Sequence, residues 1–120
     1  MESSVLNLCR NLENPITFSA GETIFTEGSP GHTMYVVLDG CVDIRLHNET
    51  LEVAGPGEFF GEMAMIDSSP RSATAIAKYD CTLAAIDEKQ FFRLLEQTPL
   101  FVLSVMKVLV DRLRRTNAML

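Results

Sequence analysis

Histidine is scarce in this chain of 120 residues, which contains only His32 and His47. Neither histidine has the spacing that would chelate a metal or partner a nucleophile. No serine, cysteine or threonine has a suitable base nearby in the sequence, and no Walker-type glycine loop is present. The sequence therefore gives little support to catalysis, and it predicts a protein that is not an enzyme and that has no metal and no cofactor.

Long hydrophobic runs are also missing. No segment approaches the roughly 18 apolar residues of a membrane span, because Lys107 and Asp111 interrupt the most hydrophobic helix candidate. The first four residues lack the basic and apolar regions of a signal peptide. Cys9, Cys41 and Cys81 have no CxxC spacing and are typical of reduced, partly buried thiols. These absences predict a cytoplasmic protein without membrane contact.

Basic residues are few, with ten Lys and Arg against sixteen Asp and Glu, and the net charge is −6. The acidic excess lies within residues 1–100, whereas residues 101–120 carry four basic residues and one acidic residue. An acidic body argues against nucleic acid as a partner and repels anions at long range, so any bound anion needs local donors. We interpret the basic C-terminal stretch as a solvated helix face, with a site for an acidic partner as the alternative.

Apolar residues make up 47% of the chain, which predicts one packed domain spanning residues 1–120. From Ile16 to Ile86, short β-rich segments alternate with Gly and Pro. Asp39-Gly40, between two apolar runs, predicts a two-residue hairpin. The fold class is mainly β, an antiparallel β-roll of the jelly-roll kind with flanking helices. Strands are expected at Ile16–Ser19, Thr23–Thr26, Met34–Leu38, Cys41–His47, Thr50–Ala54, Ala73–Lys78 and Thr82–Asp87.

Helical patterns precede and follow the strands. The spacing of Val5, Leu8, Cys9 and Leu12 predicts a short N-terminal helix. Asp87-Glu88-Lys89-Gln90 resembles a capping box, which would begin a helical C-terminal segment over about residues 87–120.

The last helix is expected to begin at Thr98-Pro99, with proline at its first position. Apolar and small residues recur along it at alternating spacings of four and three, which is typical of a heptad seam. This seam fits a helix packed on its own barrel, and it also fits a helix paired with its twin in a homodimer; fewer than three heptads do not separate the two. The seam comprises Val102, Met106, Leu109, Leu113, Thr116 and Leu120.

Two opposite charges stand nine positions apart in the otherwise apolar and small-residue segment Phe59–Thr74. A lone buried ion is very costly, so Glu62 and Arg71 need partners if the segment is packed. The planar fork of Arg71 matches a phosphate bidentately. The N–H groups of a short helix at Gly61–Ala64, together with Ser72, add further anion donors. Glu62 would accept a hydrogen bond from a ligand hydroxyl, or alternatively pair with Arg71 or cap backbone donors.

These residues also resemble a known family. Gly61-Glu62-Met63-Ala64 followed by Pro70-Arg71-Ser72-Ala73 is similar to the phosphate-binding cassette of the cyclic nucleotide-binding domains. That family occurs in the bacterial catabolite activator protein, in regulatory subunits of cyclic-AMP-dependent kinase and in nucleotide-gated channels. Gly21–Gly28 and Met34–Val42 resemble its first barrel strands, so the resemblance covers nearly the whole chain. It implies an antiparallel β-roll flanked by helices and a non-enzymatic sensor of cyclic nucleotides.

The resemblance implies a role for each matching residue of the cassette. Glu62 would bind the ribose 2′-hydroxyl, and Arg71 would bind the exocyclic phosphate oxygens. The remaining phosphate donors would be the backbone N–H groups near Gly61, Met63 and Ala64, with Ser72.

Selectivity and signalling follow from the same resemblance. Thr116 and Asn117 fall where the catabolite activator branch has a Thr-Ser pair that meets the purine. Serine at position 72 is similar to cyclic-AMP binders, whereas threonine there is commoner among cyclic-GMP binders, so cAMP is the expected ligand and cGMP the alternative. The final helix would relay binding to a second subunit or to another partner, which the sequence does not identify. A degenerate interaction module that no longer binds nucleotide is the other alternative.

Overall fold

The computed structural model describes residues 15–63, 69–97, 100, 102–103 and 105–111. Its strands form two four-stranded antiparallel sheets, the first in the order β1-β8-β3-β6 and the second in the order β2-β7-β4-β5. The antiparallel β-roll predicted from the sequence is confirmed. The strands are β1 (Ile16–Phe18), β2 (Thr23–Phe25), β3 (Thr33–Asp39), β4 (Val42–Leu46), β5 (Glu49–Ala54), β6 (Phe59–Phe60), β7 (Thr74–Ala77) and β8 (Cys81–Asp87).

Strand β3 of the first sheet is covered on both faces, which explains its unbroken apolar run Met34–Leu38. Successive side chains of a strand point to opposite faces. One set packs against helices, and it includes Met34 and Val36 of β3 with Ile86 of β8. The alternate set, including Val37 and Leu83, packs between the two sheets. A strand covered on both sides needs apolar residues at every position rather than at every second one.

The hairpin predicted at Asp39-Gly40 is wrong. Strand β3 pairs with β8 and β6, whereas β4 lies in the second sheet between β5 and β7. The turn therefore carries the chain from one sheet to the other. Gly40 has φ +86°, and a Cβ there would lie 2.7 Å from the Cβ of Cys81, so the crossing requires glycine. The tight hairpin joins β4 to β5 instead, where His47 and Asn48 both have positive φ.

All seven predicted strands are present, and no end differs from the predicted one by more than one residue. The eighth strand, β6, is two residues long and was not predicted from the sequence. Phe59 and Phe60 are both buried and pair with Val36 and Tyr35 of β3. Two residues carry no readable periodicity, so only the partner strand defines this element.

Strand β8 leads directly into helix α1 (Glu88–Gln97). The predicted capping box is confirmed, since the Gln90 backbone N–H donates to Oδ1 of Asp87 at 2.8 Å and the Asp87 N–H donates to Oε1 of Gln90 at 3.2 Å. Phe91 and Leu94 of α1 are buried against the first sheet. The helix is thus anchored at its first turn by hydrogen bonds and along its length by apolar packing.

Residues 105–111 are helical, and here the predicted heptad seam divides between two environments. Leu109 packs against the core beside buried Val105. Met106 is 56% exposed and shares an outward face with exposed Leu103 and Val110. The seam positions Leu113, Thr116 and Leu120, the start at Thr98-Pro99 and the predicted N-terminal helix lie outside the described residues. Within the described part, no helix has the length and apolarity needed to cross a membrane.

Replacing Asp87 with alanine should lower the free energy of unfolding by about 1 kcal/mol, because the Gln90 N–H loses its capping acceptor. Urea denaturation of Asp87→Ala and of the wild type measures this loss. Lys89→Ala, at an exposed position of the same first turn, is the control and should change stability by less than about 0.5 kcal/mol. Equal effects of the two substitutions would contradict a capping contribution.

Candidate functional site

A cleft of about 520 Å³ opens between β2, the loop 26–32 and the start of β3. Arg71, which lies about forty residues further along the chain and just before β7, also lines this cleft. Two backbone hydrogen bonds fix the chain there, since the Arg71 N–H donates to the Ser29 carbonyl at 2.9 Å and the Gly28 N–H donates to the Arg71 carbonyl at 2.8 Å. The loop and the cassette arginine are therefore one structural unit.

The Arg71 side chain is only 7% exposed. Its Nη2 donates to the Thr33 carbonyl at 2.7 Å, and its Nη1 donates to the Gly61 carbonyl at 3.2 Å. Its Nε has no hydrogen-bond partner, and in the part of the chain that the structure describes no carboxylate forms an ion pair with it. Neutral oxygens therefore hold the guanidinium, and no carboxylate among the described residues compensates its positive charge.

Burial lowers the pKa of the Arg71 guanidinium, and nearby Tyr35 acts in the opposite direction. Arginine nevertheless remains protonated throughout the working range of proteins. Burying a charge without an opposite charge costs free energy, and a bound anion offsets that cost. Three of the five guanidinium N–H donors are not used by the two hydrogen bonds to carbonyls, so donors remain for such an anion.

Two further contacts hold the guanidinium. Its Cζ lies 4.1 Å from the centroid of the Phe25 ring. Phe25 in turn packs with Tyr35 and Phe60, at centroid separations of 6.2 and 5.9 Å. On another side, a Cβ added to Gly31 would overlap Nε and Cζ of Arg71. The arginine thus lies on an aromatic cluster and against a stretch of backbone that has no side chain.

Of the residues predicted for the site, the structure shows Gly61 and Arg71 in contact. Gly61, with φ +78°, presents its carbonyl to Arg71, and the next residue, Glu62, is 1% exposed. Met63 and Ser72 are exposed, and of the predicted site residues that the structure describes, Arg71 alone lines the cleft. Ala64, Thr116 and Asn117 lie outside the described residues.

Local sequence patterns do not mark Phe25, Gly31 and Thr33 as parts of the site. Gly31 falls in a stretch that predicts only a turn, and Phe25 and Thr33 have the features of ordinary strand residues. Their relation to Arg71 spans at least 38 positions of sequence, and local patterns carry no signal for it. Among the described residues, no group of three or more His, Cys, Asp and Glu could hold a metal ion.

A family model and a curated relative both associate this chain with cyclic nucleotide binding. The family model described as cyclic nucleotide-binding domain matches residues 15–98. A CRP-like cAMP-activated global transcriptional regulator of Mycobacterium tuberculosis is 30% identical, over 96% of this chain and 53% of its own length. The chain therefore spans about half the length of the curated relatives that it matches first.

Solved structures similar to this chain include members of the same family. The catabolite activator protein of Thermus thermophilus is similar with a TM-score of 0.82 and 32% identity, over 96% of this chain and 56% of that chain. A structure described under a cyclic-GMP-dependent signalling pathway in bacterial phytopathogenesis has a TM-score of 0.77 and 28% identity, over 95% and 92% of the two chains. The family model alone covers more than half of the sequence, and the chain belongs to the cyclic nucleotide-binding domain family.

Proposed function

We propose that this chain is a non-enzymatic sensor whose ligand is a cyclic nucleotide, in the first place cAMP. The observation that carries the proposal is the buried Arg71 guanidinium, which reaches a cleft and has no carboxylate partner among the described residues. A cyclic phosphate supplies the missing negative charge and two exocyclic oxygens that can accept from a planar donor fork. The membership of the chain in the family supports the same ligand class.

The other cassette residues take the roles that the family resemblance assigns. Glu62, which is 1% exposed next to the Arg71 contact at Gly61, accepts the ribose 2′-hydroxyl in this proposal. Backbone N–H groups near Gly61, Met63 and Ala64, together with Ser72, complete the phosphate cradle. Ser72 also favours cAMP over cGMP, and a cGMP-dependent function is the alternative that the second structural neighbour supports.

The output of the sensor is proposed to pass through the C-terminal helix. Ligand binding shifts a conformational equilibrium only if the ligand contacts the two states differently, so the moving helix must meet the ligand. Thr116 and Asn117 are the proposed contacts with the purine. The outward apolar face of Leu103, Met106 and Val110 supports a homodimer through this helix.

Three further parts of the proposal rest on the sequence and on the relatives. The acidic body makes direct nucleic-acid contact by these 120 residues unfavourable, although one relative is named as a transcriptional regulator. The scarcity of histidine supports a binding role rather than an enzymatic one. A cytoplasmic location stays a prediction from the absence of a signal peptide and of a spanning segment.

Arg71→Ala should weaken cAMP binding by about 2–5 kcal/mol, because one partner of a buried charge pair is removed. Isothermal titration calorimetry of nucleotide-stripped protein with cAMP and cGMP measures this loss and ranks the two bases. Arg93→Ala, which removes an exposed arginine from α1, is the matched control and should bind like the wild type. Affinity of Arg71→Ala within threefold of wild type would refute the phosphate role, and no binding of either nucleotide by folded wild-type protein would favour a degenerate interaction module.

Glu62→Gln should cost about 1 kcal/mol of binding free energy, since a charged acceptor becomes a neutral one of the same shape. The loss should disappear for 2′-deoxy-cAMP, which lacks the hydroxyl. Titrating both nucleotides against both proteins forms a complete cycle. If wild-type protein binds 2′-deoxy-cAMP as tightly as cAMP, Glu62 does not bind the ribose 2′-hydroxyl.

Replacing Thr116 and Asn117 together with alanine should change the cAMP-to-cGMP affinity ratio or the ligand-induced shift in oligomeric state. Calorimetry measures the first quantity, and analytical ultracentrifugation with and without nucleotide measures the second. The single exposed-face variant Met106→Ala is the comparison, because it should affect only the oligomeric state. Unchanged behaviour of the double variant in both measurements would remove these two residues from the mechanism.

A further inference from the structure

Four contacts restrain the Arg71 guanidinium, and only one of them comes from the cassette. The Gly61 carbonyl belongs to the cassette, whereas the Thr33 carbonyl, the Phe25 ring and the Gly31 backbone belong to β2, β3 and the loop between them. The two carbonyls accept N–H groups and so act in the plane of the guanidinium. The Phe25 ring, 4.1 Å from Cζ, supports the guanidinium by a cation–π contact.

Gly31 contributes by having no side chain. A Cβ at this position would lie 2.7 Å from Nη2 of Arg71 and would overlap Nε and Cζ. The φ angle of Gly31 lies outside the left-handed region, so the backbone itself would accept alanine. The three described atoms nearest to such a Cβ all belong to the arginine side chain. Because that side chain is long and flexible, we expect alanine at position 31 to displace the guanidinium rather than to unfold the loop.

Holding an arginine in place before the ligand arrives has a measurable consequence. Ordering one long side chain on binding costs about 0.5–1.5 kcal/mol, and a preorganised side chain avoids this cost. An arginine that has been displaced loses that advantage even though its charge is unchanged. Residues that restrain Arg71 can therefore set affinity without touching the nucleotide.

We propose that Phe25 and Gly31 are positioning residues for Arg71. Phe25 supports the guanidinium, and Gly31 leaves the space in which it lies. The inference rests on the proposed function, since the phosphate of a cyclic nucleotide is what the positioned guanidinium binds. It extends the site beyond the cassette to the strand and loop that precede β3.

The first test needs no nucleotide. The Arg71 Nε–Hε signal in a ¹H–¹⁵N spectrum, identified by its absence in Arg71→Lys, should carry an upfield ring-current shift from Phe25. Gly31→Ala and Phe25→Leu should both move it to the position of exposed arginines such as Arg93, whereas Phe25→Tyr should retain the shift. Gly55→Ala and Phe92→Leu are the controls and should leave the signal unmoved, since a Cβ at Gly55 would meet Glu58 at an ordinary contact distance of 3.5 Å and Phe92 is exposed on α1.

The second test measures affinity. Gly31→Ala should raise the Kd for cAMP about tenfold, the order expected for ordering one side chain. The ratio of affinities for cAMP and 2′-deoxy-cAMP reports on the proposed contact between Glu62 and the ribose 2′-hydroxyl. This ratio should stay unchanged. In an Arg71→Lys background the same glycine substitution should have less than a twofold effect, because the two residues act through one contact.

An unmoved Arg71 signal in both Gly31→Ala and Phe25→Leu overturns the inference. A moved signal with unchanged affinity overturns it as well, since position would then not matter for binding. If wild-type protein binds neither nucleotide although the signal responds as expected, the proposed function fails while the placement of Arg71 by these two residues stands. Far-UV circular dichroism and a urea titration of each variant ensure that only folded protein is compared.

Discussion

A buried guanidinium without a carboxylate partner among the described residues is the constraint around which this molecule is arranged. Each neutral contact that Arg71 makes depends on a different element: carbonyls of Thr33 and Gly61, the ring of Phe25 and the bare backbone at Gly31. Together they keep the cation out of water but supply no negative charge. The two sheets can be regarded as the means of bringing these four groups to one point.

That point lies where the two sheets meet. Phe25 belongs to β2 in the second sheet, whereas Tyr35 and Phe60 belong to β3 and β6 in the first. Their rings pack across the junction as part of the core, and two of the three, Phe25 and Tyr35, also line the cleft. A substitution in this cluster therefore cannot be assigned to stability or to binding from its location alone.

The sequence predicted the positions of the strands better than it predicted how the strands pair and which distant residues meet. Alternation and turn residues located seven of the eight strands, and the charges at Glu62 and Arg71 marked the site, because both signals are local. The sheet change at Asp39-Gly40 was missed, since the same turn chemistry serves a hairpin and a crossing. The role of Gly31 was missed because it depends on a side chain forty positions away. Contacts of that kind are set by packing and leave no mark on neighbouring residues.

The continuity between β8 and α1 has a mechanical consequence. Asp87 is both the last residue of the strand and the capping residue of the helix, so there is no intervening loop to absorb rotation. Phe91 and Leu94 pack on the same sheet, so a tilt of α1 would strain its cap and its apolar contacts together. The helix is therefore a mechanical extension of β8 as far as Leu94, and a displacement of that strand is carried into about the first two turns of α1.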